Sequence, residues 1–64
     1  MEVYYYVGEN GHTSLSEGYD PAVVNGFIKL GSDVEVYKAE VDTFELDNVD
    51  PDYVDWEYIE SYHA

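Results

Sequence analysis

Val34-Glu35-Val36-Tyr37-Lys38-Ala39-Glu40-Val41-Asp42-Thr43-Phe44-Glu45-Leu46-Asp47 is rich in β-branched and aromatic residues. Such residues favour strands. The sequence predicts one long strand over 33–47, or two strands joined by a bulge. Alternation of apolar and polar residues slips at Val36-Tyr37 and again at Thr43-Phe44. A slip of one residue exchanges the two faces of a strand, so a bulge or bend is expected at each.

Extended to residue 63, the same stretch repeats every five residues. The first place is apolar at Val34, Ala39, Phe44, Val49, Val54 and Ile59. The second is acidic at Glu35, Glu40, Glu45, Asp50, Asp55 and Glu60. A further acid stands in the fourth place at Asp42, Asp47, Asp52 and Glu57. Carboxylates therefore recur along nearly half the chain, each beside residues that prefer burial. This regularity exceeds what solubility needs. It suggests ordered negative charge standing in for a nucleic-acid backbone.

Asp47-Asn48-Val49-Asp50-Pro51 is turn-like. Beyond it, Asp50 as N-cap, Pro51 and Asp52 read as a helix start. Val54, Tyr58 and Tyr62 would then share a helical face. The same residues also alternate as a strand would, through Val54, Trp56 and Tyr58. Helix is the favoured reading of an ambiguous pattern.

Upstream, residues 3–7 (Val-Tyr-Tyr-Tyr-Val) predict a strand, and Gly8-Glu9-Asn10-Gly11 a turn. Residues 12–15 would return as a short second strand. A loop over 16–19 leads to Asp20-Pro21, an N-cap followed by proline at the first helical position. The helix expected over 22–30 puts Val23, Phe27 and Leu30 on one face, with Val24 and Ile28 beside it. Gly31 is its expected stop.

The chain of 64 residues makes one domain, 1–64, with an α+β fold: a small antiparallel sheet and one or two short helices. A chain this short buries roughly 60% of its unfolded surface. It contains no cysteine, so neither disulfide nor thiolate zinc site can reinforce it. Eight tyrosines suit a thin core or an interface, because the ring buries while the hydroxyl stays wet. A homodimer would supply further burial and is part of the expectation.

Fifteen Asp and Glu face two lysines, Lys29 and Lys38, for a formal net charge of −13. That field opposes direct binding to nucleic acid or an anionic membrane. It attracts a basic partner and makes the encounter sensitive to salt. No apolar run approaches the ~20 residues of a membrane span. The start, Met1-Glu2-Val3, lacks the basic region of a signal peptide, so a complete, cytoplasmic protein is expected.

Catalytic signatures are missing from the sequence. His12, His63, Ser14 and Ser16 stand outside any nucleophile elbow, zinc-binding His pair or phosphate-binding glycine loop. Acid pairs such as Asp55 and Glu57 could serve general acid–base chemistry, but so small a domain has little room for a cleft. The run from Asp47 to Asp52 invites calcium, yet an EF-hand loop starting at Asp47 needs glycine where Asp52 stands and glutamate where Tyr58 stands. No enzyme activity, cofactor or metal site is therefore expected.

Spacing suits a different role. Residues two apart on a strand lie about 6.6–6.8 Å apart. A DNA strand advances about 3.4 Å along its axis per phosphate, and its helical path lengthens the true separation. The residues expected to meet a partner are Glu40, Asp42, Glu45, Asp47, Asp50, Asp52, Asp55, Trp56 and Glu57. Trp56, exposed among acids, would be an anchor, although it also reads as a core residue.

Two resemblances accompany these readings. The five-residue period over 34–63 resembles pentapeptide-repeat proteins, which wind a right-handed β-helix and in some cases imitate DNA. That family places small residues where Phe44, Val49, Val54 and Ile59 stand here. In size, acid-to-base ratio and tyrosine content the chain resembles small acidic phage proteins that mimic DNA. A fainter likeness to the glycosylase inhibitors among them lies in Ser14-Leu15-Ser16, the helix that follows, and Val41-Asp42-Thr43-Phe44. The resemblance implies a non-enzymatic inhibitor in the host bacterial cytoplasm. Its partner would be a basic DNA-binding host protein: the nucleoid protein HU, uracil-DNA glycosylase, a restriction enzyme or RNA polymerase. The alternative is an acidic regulatory module that binds a basic protein without imitating DNA.

Overall fold

The computed structural model describes residues 2–41 and 55–64. Four strands and one helix follow in the order β1 (Glu2–Gly8), β2 (Thr13–Glu17), α1 (Pro21–Lys29), β3 (Val34–Glu40) and β4 (Glu57–Tyr62). The strands form one antiparallel sheet in the order β2-β1-β3-β4. The α+β expectation therefore holds for the described residues.

The first hairpin forms as its residues dictate. Gly11 takes φ 90°, a left-handed conformation that favours glycine. The Gly8 N–H donates to the His12 carbonyl at 2.8 Å, and the Asn10 side chain accepts the His12 N–H at 3.0 Å. The second strand begins one residue later than predicted and runs on through Glu17.

Helix α1 also starts where its cap predicts. Asp20 has an extended backbone, its carboxylate accepts the Ala22 N–H, and Pro21 opens the helix. Gly31, at φ 78°, follows the C-cap Leu30. The buried face differs from the expected one. Val24 and Phe27 are buried, with Val23 and Ile28 packed beside them, while Leu30 is 74% exposed. Leu30 belongs to the unwinding end and points off the sheet-facing stripe.

The main core lies between α1 and one sheet face. It comprises Tyr6, Val24, Phe27, Val34 and Val36, flanked by Tyr4 and Tyr62. Gly8 permits the closest approach, since an added Cβ would meet Phe27 at 2.5 Å. The irregularity expected at Val36-Tyr37 occurs in the ladder between β3 and β4, and the one expected at Thr43-Phe44 lies outside the described residues. β3 pairs with β1 without interruption, and residues on both of its faces are covered. Val34 and Val36 face the helix, whereas Tyr37 and Ala39 take the other face, where Val3 is also buried.

The carboxyl-terminal segment corrects the sequence reading. Residues 57–62 form strand β4, where a helix was favoured. The outer edge of β3 offers a row of backbone partners to β-forming Tyr58, Ile59 and Tyr62. The register shifts beside Val36 and Tyr37: Val36 pairs with Glu60 and Tyr37 with Tyr58, leaving Ile59 as an extra residue. Tyr58 and Tyr62 consequently lie on opposite sheet faces, although both belonged to one expected helical stripe.

The described part of the five-residue pattern also forms this antiparallel sheet and no β-helix coil. Strand side chains alternate with period two, so an odd spacing sends successive acids to opposite faces. Glu35 and Glu40 are separated in this way within β3.

Candidate functional site

Four of the nine expected partner-binding residues are described: Glu40, Asp55, Trp56 and Glu57. Asp42, Glu45, Asp47, Asp50 and Asp52 lie outside the described residues, as do the expected turn at 47–51 and the helix start at Asp50-Pro51. Glu40, Asp55 and Glu57 are exposed, and Trp56 is half-buried.

The sheet register brings Glu40 and Glu57 to one end of the molecule. Glu57 stands opposite Lys38 on β3, and Glu40 lies two residues further along the same strand face. Across the other ladder, Glu40 stands directly opposite Glu2. Like charges so placed, with Cβ atoms about 4.5–5.5 Å apart, oppose strand pairing. Lys38 is half-buried among them, opposite Tyr4 on β1 and Glu57 on β4. Glu2 escaped the sequence reading because its neighbour across the sheet is far away in the chain.

Trp56 belongs to a different surface. It precedes β4 and stacks on Tyr5, with ring centroids 5.2 Å apart and planes at 27°. Tyr5 stands opposite Tyr37, which stands opposite Tyr58. Their rings continue the row, at 6.5 Å between Tyr5 and Tyr37 and 5.7 Å between Tyr37 and Tyr58. This aromatic row crosses the sheet face opposite α1. The expected C-terminal helix would have set Trp56 and Ile59 on an acidic side; the strand places Trp56 against Tyr5 instead.

Glu35 fixes one border of the row by accepting the Tyr37 hydroxyl. That hydrogen bond raises the Tyr37 pKa above the ordinary tyrosine range, with burial and the Glu35 charge acting in the same direction. A depression of about 190 Å³ is lined by Tyr5, Val7, Tyr37 and Trp56. Next to it, a notch of about 210 Å³ is lined by Val7, Gly8, Glu9, Asp33 and Glu35. Val7 belongs to both.

Asp33 belongs to the lining of this notch. Its carboxylate accepts the Ala64 backbone N–H at 2.9 Å and meets His63 Nδ1 at 3.2 Å. The Ala64 hydrogen bond, then the His63 contact, holds its pKa below the ordinary aspartate range. His63 is thus placed beside β3, while His12 is exposed in the first turn. On the helix side of the sheet, Tyr19 donates to Tyr62 at 3.1 Å, and Tyr62 donates to Glu60 at 3.0 Å. The bond from Tyr19, then the bond to Glu60, raises the Tyr62 pKa strongly.

Among the described residues, no cluster of three or more His, Cys, Asp or Glu side chains could hold a metal ion. Nor is any described helix long and apolar enough to cross a membrane. No protein-family model, curated protein or solved structure matches the chain.

Proposed function

We propose that this protein is a non-enzymatic DNA mimic that occupies the DNA-binding surface of a basic host protein. The observation that carries the reading is the cross-strand pair of Glu2 and Glu40, with Glu57 on the neighbouring strand. These carboxylates are fixed at sheet spacings in a chain of net charge −13. Clustering charge of one sign costs self-repulsion in general, and a phosphate-reading partner gives such an arrangement a use. Lys and Arg side chains that displace counterions from DNA would meet comparable charges here. A homodimer, expected from the thin core, is part of the same proposal and is tested by light scattering after size exclusion.

A second reading is favoured by one observation. Glu35 and Glu40 take opposite faces of β3, which spreads charge around the molecule. An acidic module that binds a basic protein without imitating DNA needs only that. Competition separates the two. The partner retained from a bacterial lysate is challenged with duplex DNA across a salt series. Displacement by DNA supports mimicry. A stable ternary complex supports the acidic module, and retained proteins that do not bind DNA overturn the mimic.

A further inference from the structure

We propose that the aromatic row on the sheet face opposite α1 is a docking surface for arginine side chains of the basic partner. The inference rests on the proposed function and names the chemistry through which the partner is held.

The depression among Tyr5, Val7, Tyr37 and Trp56 has aromatic walls on three strands or their flanks. Its border is anionic. Glu35 lies beside Tyr37, bound through the tyrosine hydroxyl, and the adjoining notch carries Glu9 and Asp33. A ring face attracts a cation, and a carboxylate close by adds a second attraction for the same group. Charge complementarity selects the occupant. A second copy seated here would set its own net charge of −13 against this anionic border, so the expected homodimer joins elsewhere, and a nucleic acid would bring phosphates. A metal ion lacks a ligand cluster among the described residues.

Among organic cations, guanidinium fits both parts of the surface. It is planar and stacks on aromatic rings, and its N–H groups pair with a carboxylate through two parallel hydrogen bonds. The lysine ammonium is a compact, strongly hydrated charge that gains less from stacking. Arginines of nucleic-acid-binding proteins contact phosphates, base edges or base faces. Glu35 would take the place of the phosphate, and the Tyr5–Tyr37 surface the place of the base.

Trp56 is the single tryptophan of the chain and stacks on Tyr5, so its emission reports on this surface. The test titrates the protein with an arginine-rich peptide and with the same peptide carrying lysine at each arginine. The arginine peptide is expected to shift Trp56 emission and to bind roughly three- to tenfold more tightly than the lysine peptide, the range that a cation–π difference of this kind gives. Tyr5→Leu should abolish the preference and Tyr5→Phe should retain it, with circular dichroism confirming that each variant is folded. Equal binding of the two peptides overturns the inference. So does an arginine preference that survives in folded Tyr5→Leu, or a Trp56 emission that binding leaves unchanged. Salt-sensitive binding without arginine preference would leave the proposed function standing. Failure of both peptides to bind at low salt would overturn the two together.

Discussion

The buried hydroxyl of Tyr6 accepts the backbone N–H of Asp20 at 2.9 Å. It also contacts Ser16 Oγ at 2.8 Å, and Ser16 in turn donates to the Gly18 carbonyl at 2.7 Å. Because Ser16 spends its proton on Gly18, the Tyr6 hydroxyl donates to Ser16. One side chain at the centre of the sheet thereby fixes both the end of β2 and the residue that caps α1.

Tyr6→Phe keeps the ring and removes this junction. It strands the Asp20 N–H in a partly buried place, for which the expected cost is about 1–3 kcal/mol. Urea denaturation should show a lower midpoint with an unchanged slope. Ser16→Ala should cost less, because the Tyr6 hydroxyl keeps its bond from Asp20.

Two glycine substitutions should act in opposite directions. An added Cβ at Gly8 would meet Asn10 Oδ1 and Phe27 Cε1, each at 2.5 Å. Gly8→Ala should therefore displace the Phe27 ring and destabilise by about 1–3 kcal/mol. A Cβ at Gly26 meets nothing within 4 Å, and the residue lies inside α1 at an exposed position. Gly26→Ala should stabilise by about 0.5–1 kcal/mol through helix propensity. Thermal melts of the two variants check both signs.

Asp33 gives the carboxyl end of the chain a dependence on acid. Its pKa is lowered in the folded protein by the Ala64 N–H and His63. Its contribution is therefore present above the ordinary aspartate range and is lost as pH falls through the lowered folded value. The Asp33 carboxyl carbon, followed by NMR, should titrate below the ordinary range. Protection of the Ala64 amide should fall over the same interval. Asp33→Ala should remove that pH dependence.

Tyr37 and Tyr62 should show the reverse behaviour in alkali. Both hydroxyls donate to carboxylates, Glu35 and Glu60, and both have raised pKa values. Their contributions are complete below the ordinary tyrosine range and are lost as pH rises through the folded values. A spectrophotometric tyrosinate titration should contain late steps that Tyr37→Phe and Tyr62→Phe remove one at a time. Glu60→Gln should bring the Tyr62 step to lower pH.

Local grammar made part of this structure readable in advance. The Asp20-Pro21 cap, Gly31 and the glycines of the first turn act on their immediate neighbours, and each specified an element that formed. The carboxyl-terminal strand was misread because Tyr58 and Tyr62 fit a helical spacing as well as a strand. What decided between them was the free edge of β3, about 20 residues away along the chain in the β3–β4 register. The aromatic row has the same origin. Tyr5, Tyr37 and Tyr58 become neighbours only through strand register, so no stretch of sequence displays them together. Of the expected contact residues, Glu40 and Glu57 proved to share one end of the sheet, and Trp56 joined a surface whose other members had not been singled out.

An outer β-strand is a natural seed for polymer growth, because its unpaired amides will accept another copy of the same chain. Among the described residues the outer strands are β2 and β4, and β4 is interrupted by the additional residue Ile59 and bears Glu57 and Glu60. The kink spoils the straight template, and the two anions oppose a copy that would pair along this edge. Fibre growth through this edge is thereby disfavoured.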